Sequence, residues 1–255
     1  MSVTPTPWQP DPATRDLLAK IEAAQVPPMH TQTPAEARSG ILASRDNDID
    51  PPPVSRVENR SIPGPGGELP IRCYYPEMAD RADGAGLPTL VYFHGGGVVI
   101  GGLDSHDIRA RQFCDLADVL VISVDYRLAP ETPYPGGLED CYAAWLWTVN
   151  NAESLNIDIA RTGITGMSAG GGLTAATCLL CRDRGGPQPA FQLLGIPELD
   201  DRLETPSMQQ FVDTPMWNRP NAQLSWDYYL GDAYKRGGND VPYHAAPARA
   251  EDLSN

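Results

Sequence analysis

Several features are missing from this 255-residue sequence. It has no apolar run long enough to cross a membrane and no basic-plus-apolar leader at its N-terminus, so we expect a cytoplasmic protein without a membrane span. It has no basic cluster to offset a net charge of −14, which argues against nucleic acid or an anionic membrane surface as a partner. It has no internal repeats or low-complexity tracts. Its 41% apolar and 20% charged residues are ordinary for a soluble globular domain.

A cluster of metal ligands is also absent, and we expect neither a metal nor a cofactor. The five cysteines are an odd number, spread through segments predicted to be strands and helices. Cys178 and Cys181 have the Cys-x-x-Cys spacing of redox and metal motifs, but no histidine or second pair accompanies them. We therefore interpret the cysteines as buried reduced thiols.

A strand–turn–helix pattern surrounds Ser168. A β-capable run at 161–165 meets Gly-Met-Ser-Ala-Gly at 166–170, the elbow, and a helix-capable run at 173–181 follows. The two glycines remove Cβ atoms that would clash in so sharp a turn. The turn exposes the Ser168 hydroxyl and leaves the N–H of Ala169 at a helix N-terminus, where an oxyanion would be stabilised. The alternative is a glycine-rich turn with an incidental serine.

A second glycine-rich segment lies upstream. An apolar run at 90–93 ends in His-Gly-Gly-Gly at 94–97, the glycine loop. Three successive glycines let the backbone approach a ligand closely and turn its N–H groups towards one point. Such a loop after a strand forms the second half of an oxyanion hole in lipases and esterases. A merely flexible loop is the alternative, but the two motifs occur in the matching order.

Together with Asp-Tyr-Arg-Leu-Ala-Pro-Glu at 125–131, these motifs resemble the hormone-sensitive-lipase family of carboxylesterases, from about Val54 to the C-terminus. The resemblance implies an α/β-hydrolase fold, with a mostly parallel sheet, helices on both faces and a helical cap. It implies a hydrolase of short to medium acyl esters with Ser168 as nucleophile. The implied oxyanion hole uses the N–H groups of Gly96, Gly97 and Ala169, with Gly95 adjoining.

The chain departs from the family at two positions. Met167 stands where the family usually has aspartate, which concerns the support of the elbow. Val98 stands where the family usually has an aromatic residue, which concerns the wall of the substrate pocket. Both Val98 and Met167 are predicted to line the substrate pocket. The other predicted pocket residues come from an aromatic, methionine-rich segment: Phe211, Met216 and Trp217. For each of these side chains, ordinary packing is an equally open alternative.

The predicted domain organisation has three parts. Residues 1–50 contain helices predicted from Pro12 to Ala24 and from Pro34 to Ala43, which form part of the cap or a docked arm. Residues 51–255 form the hydrolase core. An insertion at about 199–235 supplies the rest of the cap.

A catalytic base is harder to assign. The hydrolase order is serine, then acid, then histidine, and His244 is the one histidine after Ser168. The resemblance implies that the family's last two strands, triad aspartate and triad histidine lie beyond this sequence. We therefore expect the chain alone to be weakly active or inactive. We expect a C-terminal segment of the same gene product to complete the sheet and triad, with an oligomeric form as the other possibility.

The remaining histidines have other predicted roles. His94 is expected to hold the glycine loop in shape, and His106 to cap or pack a helix start. His244 could replace the base with Asp200, Asp201 or Asp240, but its strand context does not fit. Two further alternatives are a non-catalytic small-molecule-binding protein on the same scaffold, as in the plant gibberellin receptors that resemble this family, and an inactive truncated product. The retained serine and glycine loop favour the esterase.

Overall fold

The computed structural model describes residues 10–43, 50–77 and 86–254. Within them, six strands form one sheet in the order β1-β2-β4-β3-β5-β6. The last four strands in this order are parallel, and the β1–β2 and β2–β4 pairs are antiparallel. The strands are β1 (Arg56–Gly64), β2 (Gly67–Tyr75), β3 (Leu87–Phe93), β4 (Leu120–Val124), β5 (Ile157–Met167) and β6 (Gln192–Gly195).

Seven α-helices accompany the sheet within the same residues. They are α1 (Pro12–Ala23), α2 (Pro34–Ala43), α3 (Asp107–Ala117), α4 (Gly136–Asn150), α5 (Ala169–Asp183), α6 (Pro206–Gln210) and α7 (Arg219–Leu230). The predicted elbow strand and helix are both present, each longer than predicted. The insertion predicted at about 199–235 contains α6 and α7, separated by irregular chain.

Helices cover both faces of the sheet, as the alternation of side chains along β3 shows. Val91 and Phe93 pack in one cluster with residues of α4 and α5, whereas Leu90 and Tyr92 pack in another with residues of α3. Successive side chains of a strand point to opposite faces, so a central strand that is apolar throughout needs cover on both sides. The predicted α/β-hydrolase architecture is confirmed.

The two glycine-rich motifs leave neighbouring strands at the same edge of the sheet. β3 and β5 are parallel partners, and Phe93 at the end of β3 pairs with Gly166 near the end of β5. The glycine loop therefore begins beside the residue where the elbow begins. Carboxyl ends of adjacent parallel strands are the usual place for a binding site in such sheets.

Two stretches remote in sequence pack together over this edge, and we call residues 10–43 and 199–235 the cover. Met29 and Ala37 form a cluster with Val99, and Trp217 and Tyr228 pack against it. The helices predicted at the N-terminus match α1 and α2 within one residue. Their division from the core as a cap remains a prediction.

β6 lies at one edge of the sheet formed by the described residues. Three apolar side chains in or beside it are exposed: Phe191 by 46%, Leu193 by 48% and Ile196 by 77%. An apolar edge strand is a ready site for pairing with further polypeptide.

All five cysteines are free, and four of them are buried. Cys178 and Cys181 lie within α5, as predicted. Among the described residues, no helix has both the length and the apolar character that a membrane crossing requires.

Candidate functional site

Ser168 occupies the junction between β5 and α5 in a strained conformation. Its φ of 55° and ψ of −119° lie where few non-glycine residues are found. Its N–H donates to the carbonyl of Gly195 at 2.8 Å, and its carbonyl accepts from the N–H groups of Gly172 and Glu198, both at 3.1 Å. These three backbone bonds hold the strained residue in place.

The glycines on either side of Ser168 are sterically required. A Cβ on Gly166 would overlap the backbone of Gly170, and a Cβ on Gly170 would overlap the carbonyl oxygens of Phe93 and His94. Since all of these are backbone atoms, no side-chain movement could relieve the overlap. The steric reason for this spacing, which the sequence predicts, is confirmed.

The glycine loop lies directly against the serine. A Cβ on Gly95 would stand 3.4 Å from the Cβ of Ser168. Gly96 and Gly97 have φ values of 125° and 57°, which favour glycine. Within the described chain, the N–H groups of Gly96, Gly97 and Ala169 donate to no other residue. The glycine loop is thus in contact with the residue that precedes Ala169, and the assignment of these four residues to an oxyanion hole remains a prediction.

His94 is fully buried and braces the glycine loop. Its Nδ1 lies 2.8 Å from the carbonyl oxygen of Gly95, so this nitrogen carries the proton. Its ring stacks on Tyr126 at 4.2 Å, and the Tyr126 hydroxyl donates to the His94 carbonyl at 2.7 Å. Burial, with a smaller effect of His106, lowers the pKa of His94 to about 3, so the ring is neutral. The position agrees with the predicted structural role.

His106 packs in the same aromatic group. It precedes α3 at the N-cap position, but its side chain makes no capping hydrogen bond. Its ring lies 5.3 Å from that of His94, and burial lowers its pKa to about 4. Of the two roles predicted for His106, the structure therefore supports packing.

The 125–131 segment is joined to two helices by ion pairs, one to α4 and one to α2. Arg127 binds Asp140 of α4 with two nitrogens at 2.8 and 2.9 Å, and the Asp140 side chain is only 2% exposed. This bidentate geometry is the strong form of the pair.

The second pair joins the cover to this region. Glu131 binds Arg38 of α2 at 2.7 Å. Arg38 also donates to the carbonyl of Val99 at 2.8 Å and to that of Ala129 at 2.9 Å. One N-terminal side chain thus joins the turn after the glycine loop to the 125–131 segment.

Two cavities adjoin the site. The smaller, of about 20 Å³, is lined by Val98, Ala169, Gly172, Leu173, Glu198, Ser225, Trp226, Tyr229 and Ala245. The larger, of about 270 Å³, is lined by Ser207, Met208, Phe211, Thr214, Trp217 and Asn218. The Trp217 ring also lies 2.9 Å from where a Cβ on Gly97 would stand, so the larger cavity adjoins the glycine loop.

The predicted pocket residues divide accordingly. Val98 lines the smaller cavity, and Phe211 and Trp217 line the larger. Met167 instead packs on the sheet face covered by α3. Met216 is 74% exposed and lines neither cavity. The structure therefore does not support a pocket role for these two methionines, because Met167 packs beneath α3 and Met216 is exposed to solvent.

His244 lies far from the serine. Its Nε2 contacts Asp183 at 2.6 Å, at the C-terminal end of α5. Ser168 precedes the other end of this 15-residue helix, about 20 Å away at 1.5 Å per residue. The suggestion that His244 replaces the base is wrong, and its partner is none of the three aspartates considered. His30 bonds to Asn221 at 2.7 Å, so the described chain brings no histidine side chain to the Ser168 hydroxyl.

Two residues at the site were missed by sequence reasoning. Glu198 follows β6 at the same sheet edge as the elbow, and a carboxylate after a parallel strand was an available signal. Burial raises the pKa of Glu198 to about 8, against a smaller lowering by Ser225. The Ser225 hydroxyl donates to the carbonyl of Gly97 at 2.8 Å. No local pattern marks Ser225, because its contact depends on how α7 docks.

With this geometry established, comparison with known proteins identifies the class. A family model described as alpha/beta hydrolase fold matches residues 90–255. The chain belongs to this family.

Particular relatives are esterases. Esterase LipI of Mycobacterium tuberculosis is 38% identical over 203 residues, covering 80% of this chain and 62% of the relative. Carboxylesterase NlhH of the same species is 42% identical over 177 residues, covering 68% of this chain and 54% of the relative. The chain thus spans between half and two thirds of the length of these relatives. A solved ester hydrolase from the Lake Arreo metagenome, bound to a bipyridine phosphonate derivative, matches with a TM-score of 0.85 and 36% identity, covering 94% of this chain and 76% of that one.

Proposed function

We propose that this chain carries the nucleophile and the oxyanion hole of a carboxylic ester hydrolase. The observation that carries the proposal is the strained Ser168, held at the N-terminus of α5 directly against the glycine loop. The esterase names of its relatives support the same reaction class.

In the proposed reaction, the Ser168 hydroxyl attacks the ester carbonyl and loses its proton to a base. The negative oxygen of the tetrahedral intermediate accepts hydrogen bonds from Gly96, Gly97 and Ala169. The intermediate expels the alcohol, and water then hydrolyses the acyl-enzyme to release the acid. These N–H groups are already in position before the reaction. They stabilise the negative oxygen of the intermediate more than the neutral ester, and this difference accelerates the reaction.

The base and its acid partner are proposed to come from further polypeptide. Each of the four histidines has been located, and none contacts Ser168. The exposed apolar edge at β6 offers a place where a C-terminal segment of the same gene product could pair. An oligomer that covers this edge is the other form considered.

The substrate is proposed to be a short to medium acyl ester bound beneath the cover. The larger cavity supports this, because apolar side chains such as Met208, Phe211 and Trp217 line it beside the glycine loop. Residues 1–50 and about 199–235 would then act as the cap predicted from the sequence. A cytoplasmic location remains a prediction.

A non-catalytic binding protein on the same scaffold is the second candidate. The position of the histidines favours it, since a serine without a base keeps its proton. The preserved geometry around Ser168 favours the esterase.

The test is hydrolysis of p-nitrophenyl acetate and butyrate, measured with an intact mass of the sample. Ser168→Ala is compared with Ser154→Ala, a serine outside the site whose hydroxyl bonds to the Asn151 carbonyl. We expect any turnover to disappear only in Ser168→Ala, and a phosphonate ester to label Ser168 covalently. A companion fragment in the mass spectrum would identify the source of the base.

Turnover that persists in Ser168→Ala would overturn the serine assignment. A folded protein that binds the ester tightly, without turnover or labelling, would instead support the binding protein.

A further inference from the structure

Glu198 contacts both halves of the proposed oxyanion hole. Its backbone N–H donates to the carbonyl of Ser168 at 3.1 Å, in the elbow. Its side chain lines the same small cavity as Ser225, whose hydroxyl donates to the carbonyl of Gly97 at 2.8 Å. One residue thus joins the segment that presents Ala169 to the segment that presents the glycine N–H groups.

The hydroxyl of Ser225 has a single proton, and this decides the direction of the bonds. That proton is committed to the Gly97 carbonyl, so towards Glu198 the Ser225 oxygen can only accept. A hydrogen bond between the two side chains in this arrangement therefore requires a proton on the carboxyl. One carboxyl oxygen of Glu198, Oε1, is buried without a partner in the described structure. Burying an unpaired oxygen costs an ionised carboxylate more free energy than it costs a neutral acid.

Among the described residues that line the small cavity, none is a cation that would keep Glu198 ionised. Nine residues line the small cavity it faces, and Glu198 and Tyr229 are the titratable ones. Burial raises the pKa of Tyr229 well above its usual value, so this residue stays neutral. Burial likewise raises the pKa of Glu198 to about 8. No cation from α5, α7 or the turn at Val98 lines the cavity.

We propose that Glu198 is a positioning residue that acts as a neutral acid: it donates a hydrogen bond to Ser225 and so keeps the Ser225 hydroxyl on the Gly97 carbonyl. The contact is close, since a Cβ on Gly97 would stand 3.0 Å from the Ser225 oxygen. When Glu198 loses its proton to solvent, the carboxylate becomes the stronger acceptor. The Ser225 hydroxyl then turns to it, and the Gly97 carbonyl loses its donor.

The effect on catalysis rests on the proposed function. The change in the Ser225 hydrogen bond when Glu198 loses its proton does not. Hydrogen bonding to the Gly97 carbonyl polarises the peptide that it shares with the N–H of Val98. The ¹⁵N resonance of the Val98 amide in the 255-residue protein therefore reports on the Ser225 bond whether or not the chain turns over an ester. In an active sample, kcat is expected to fall above pH 8 with less change in KM.

The experiment follows the Val98 amide by NMR from pH 6 to pH 10. We expect a transition with a midpoint near pH 8 in the wild type and in Glu153→Gln, an exposed glutamate elsewhere in the chain. Glu198→Gln keeps a donor to Ser225 but cannot ionise, so its Val98 resonance should stay at the low-pH position. Ser225→Ala should remove the transition and shift the resonance at every pH.

Either of two results would overturn the proposal. One is a Val98 resonance that does not change with pH in the wild type. The other is a transition that survives in Glu198→Gln. The expected transition in a folded protein that binds an ester without turnover and without phosphonate labelling of Ser168 would count against the proposed function alone.

Discussion

The elbow with the glycine loop, and the cover above them, are built in different ways. In the first region, backbone packs on backbone: Cβ atoms on Gly166 and Gly170 would overlap main-chain atoms, and His94 is fully buried. The cover is attached by a few side chains, such as Arg38 and Ser225, and by one apolar cluster. It also leaves Met216 74% exposed. The region proposed for chemistry is thus fixed locally, whereas the region proposed for selectivity depends on a few long-range contacts.

The largest expected effect concerns the residue that joins the two regions. Folding raises the pKa of Glu198 from 4.5 to about 8. The folded protein therefore holds a proton that the unfolded chain releases, so this stabilisation is complete below pH 4.5 and is lost as the pH rises towards 8. Glu198→Gln cannot ionise. Relative to wild type, its unfolding free energy should rise by about 4 kcal/mol between pH 4.5 and pH 8.

Urea denaturation at several pH values measures this difference. Glu153→Gln, on the exposed surface, should track the wild type throughout. Parallel curves for wild type and Glu198→Gln would show that Glu198 is ionised in the folded protein.

The next effect tests the backbone packing of the elbow. In Gly170→Ala, the new Cβ meets the carbonyl oxygens of Phe93 and His94. We expect a loss of about 3 kcal/mol in unfolding free energy, because neither carbonyl can move without disturbing β3 or the glycine loop. In the matched Gly40→Ala of α2, the Cβ meets no atom within 4 Å. That change should stabilise by about 0.5–1 kcal/mol. Equal urea midpoints for the two variants would contradict the difference drawn between the regions.

A smaller effect is expected where the cover is attached. Arg38→Met removes hydrogen bonds to the carbonyls of Val99 and Ala129 and the ion pair with Glu131. The expected cost is about 1–2 kcal/mol, with faster amide hydrogen exchange in residues 98–100 as the local readout. Arg15→Met, at an exposed position of α1, serves as the control. Unchanged exchange would mean that the apolar cluster alone holds the cover.

The smallest effect is expected at His244. The contact with Asp183 is partly exposed, at 20% and 25% of the two side chains. Its loss in His244→Ala should cost under about 1 kcal/mol. Any Ser168-dependent turnover should be unchanged, because α5 separates the two residues. Tyr243→Phe is the control, because it also removes a bond to Asp183. A loss of turnover in His244→Ala but not in Tyr243→Phe would mean that His244 must be considered again as the base.

The sequence predicted the elbow and the glycine loop better than it predicted the contacts of the cover. The elbow and glycine loop were predictable because their geometry requires particular residue types at short spacing, and glycine leaves few alternatives. The bonds of Arg38 to Val99 and of Ser225 to Gly97 span 61 and 128 residues. No local pattern encodes contacts of that separation. Met167 shows the limit even within a motif, since alternation along a strand directs the residue before Ser168 to the sheet face covered by α3.

The attachment of the N-terminal segment has a consequence for protein engineering. Arg38 supports the turn after the glycine loop, and the backbone N–H of His30 donates to the buried Asn221 of α7 at 2.9 Å. A shortened protein that began at residue 51 would still contain the whole predicted hydrolase core. It would nevertheless lose a support of the turn at Val99 and uncover Trp217 and Tyr228. Grafts, circular permutants and affinity tags should therefore treat residues 10–43 as part of the site.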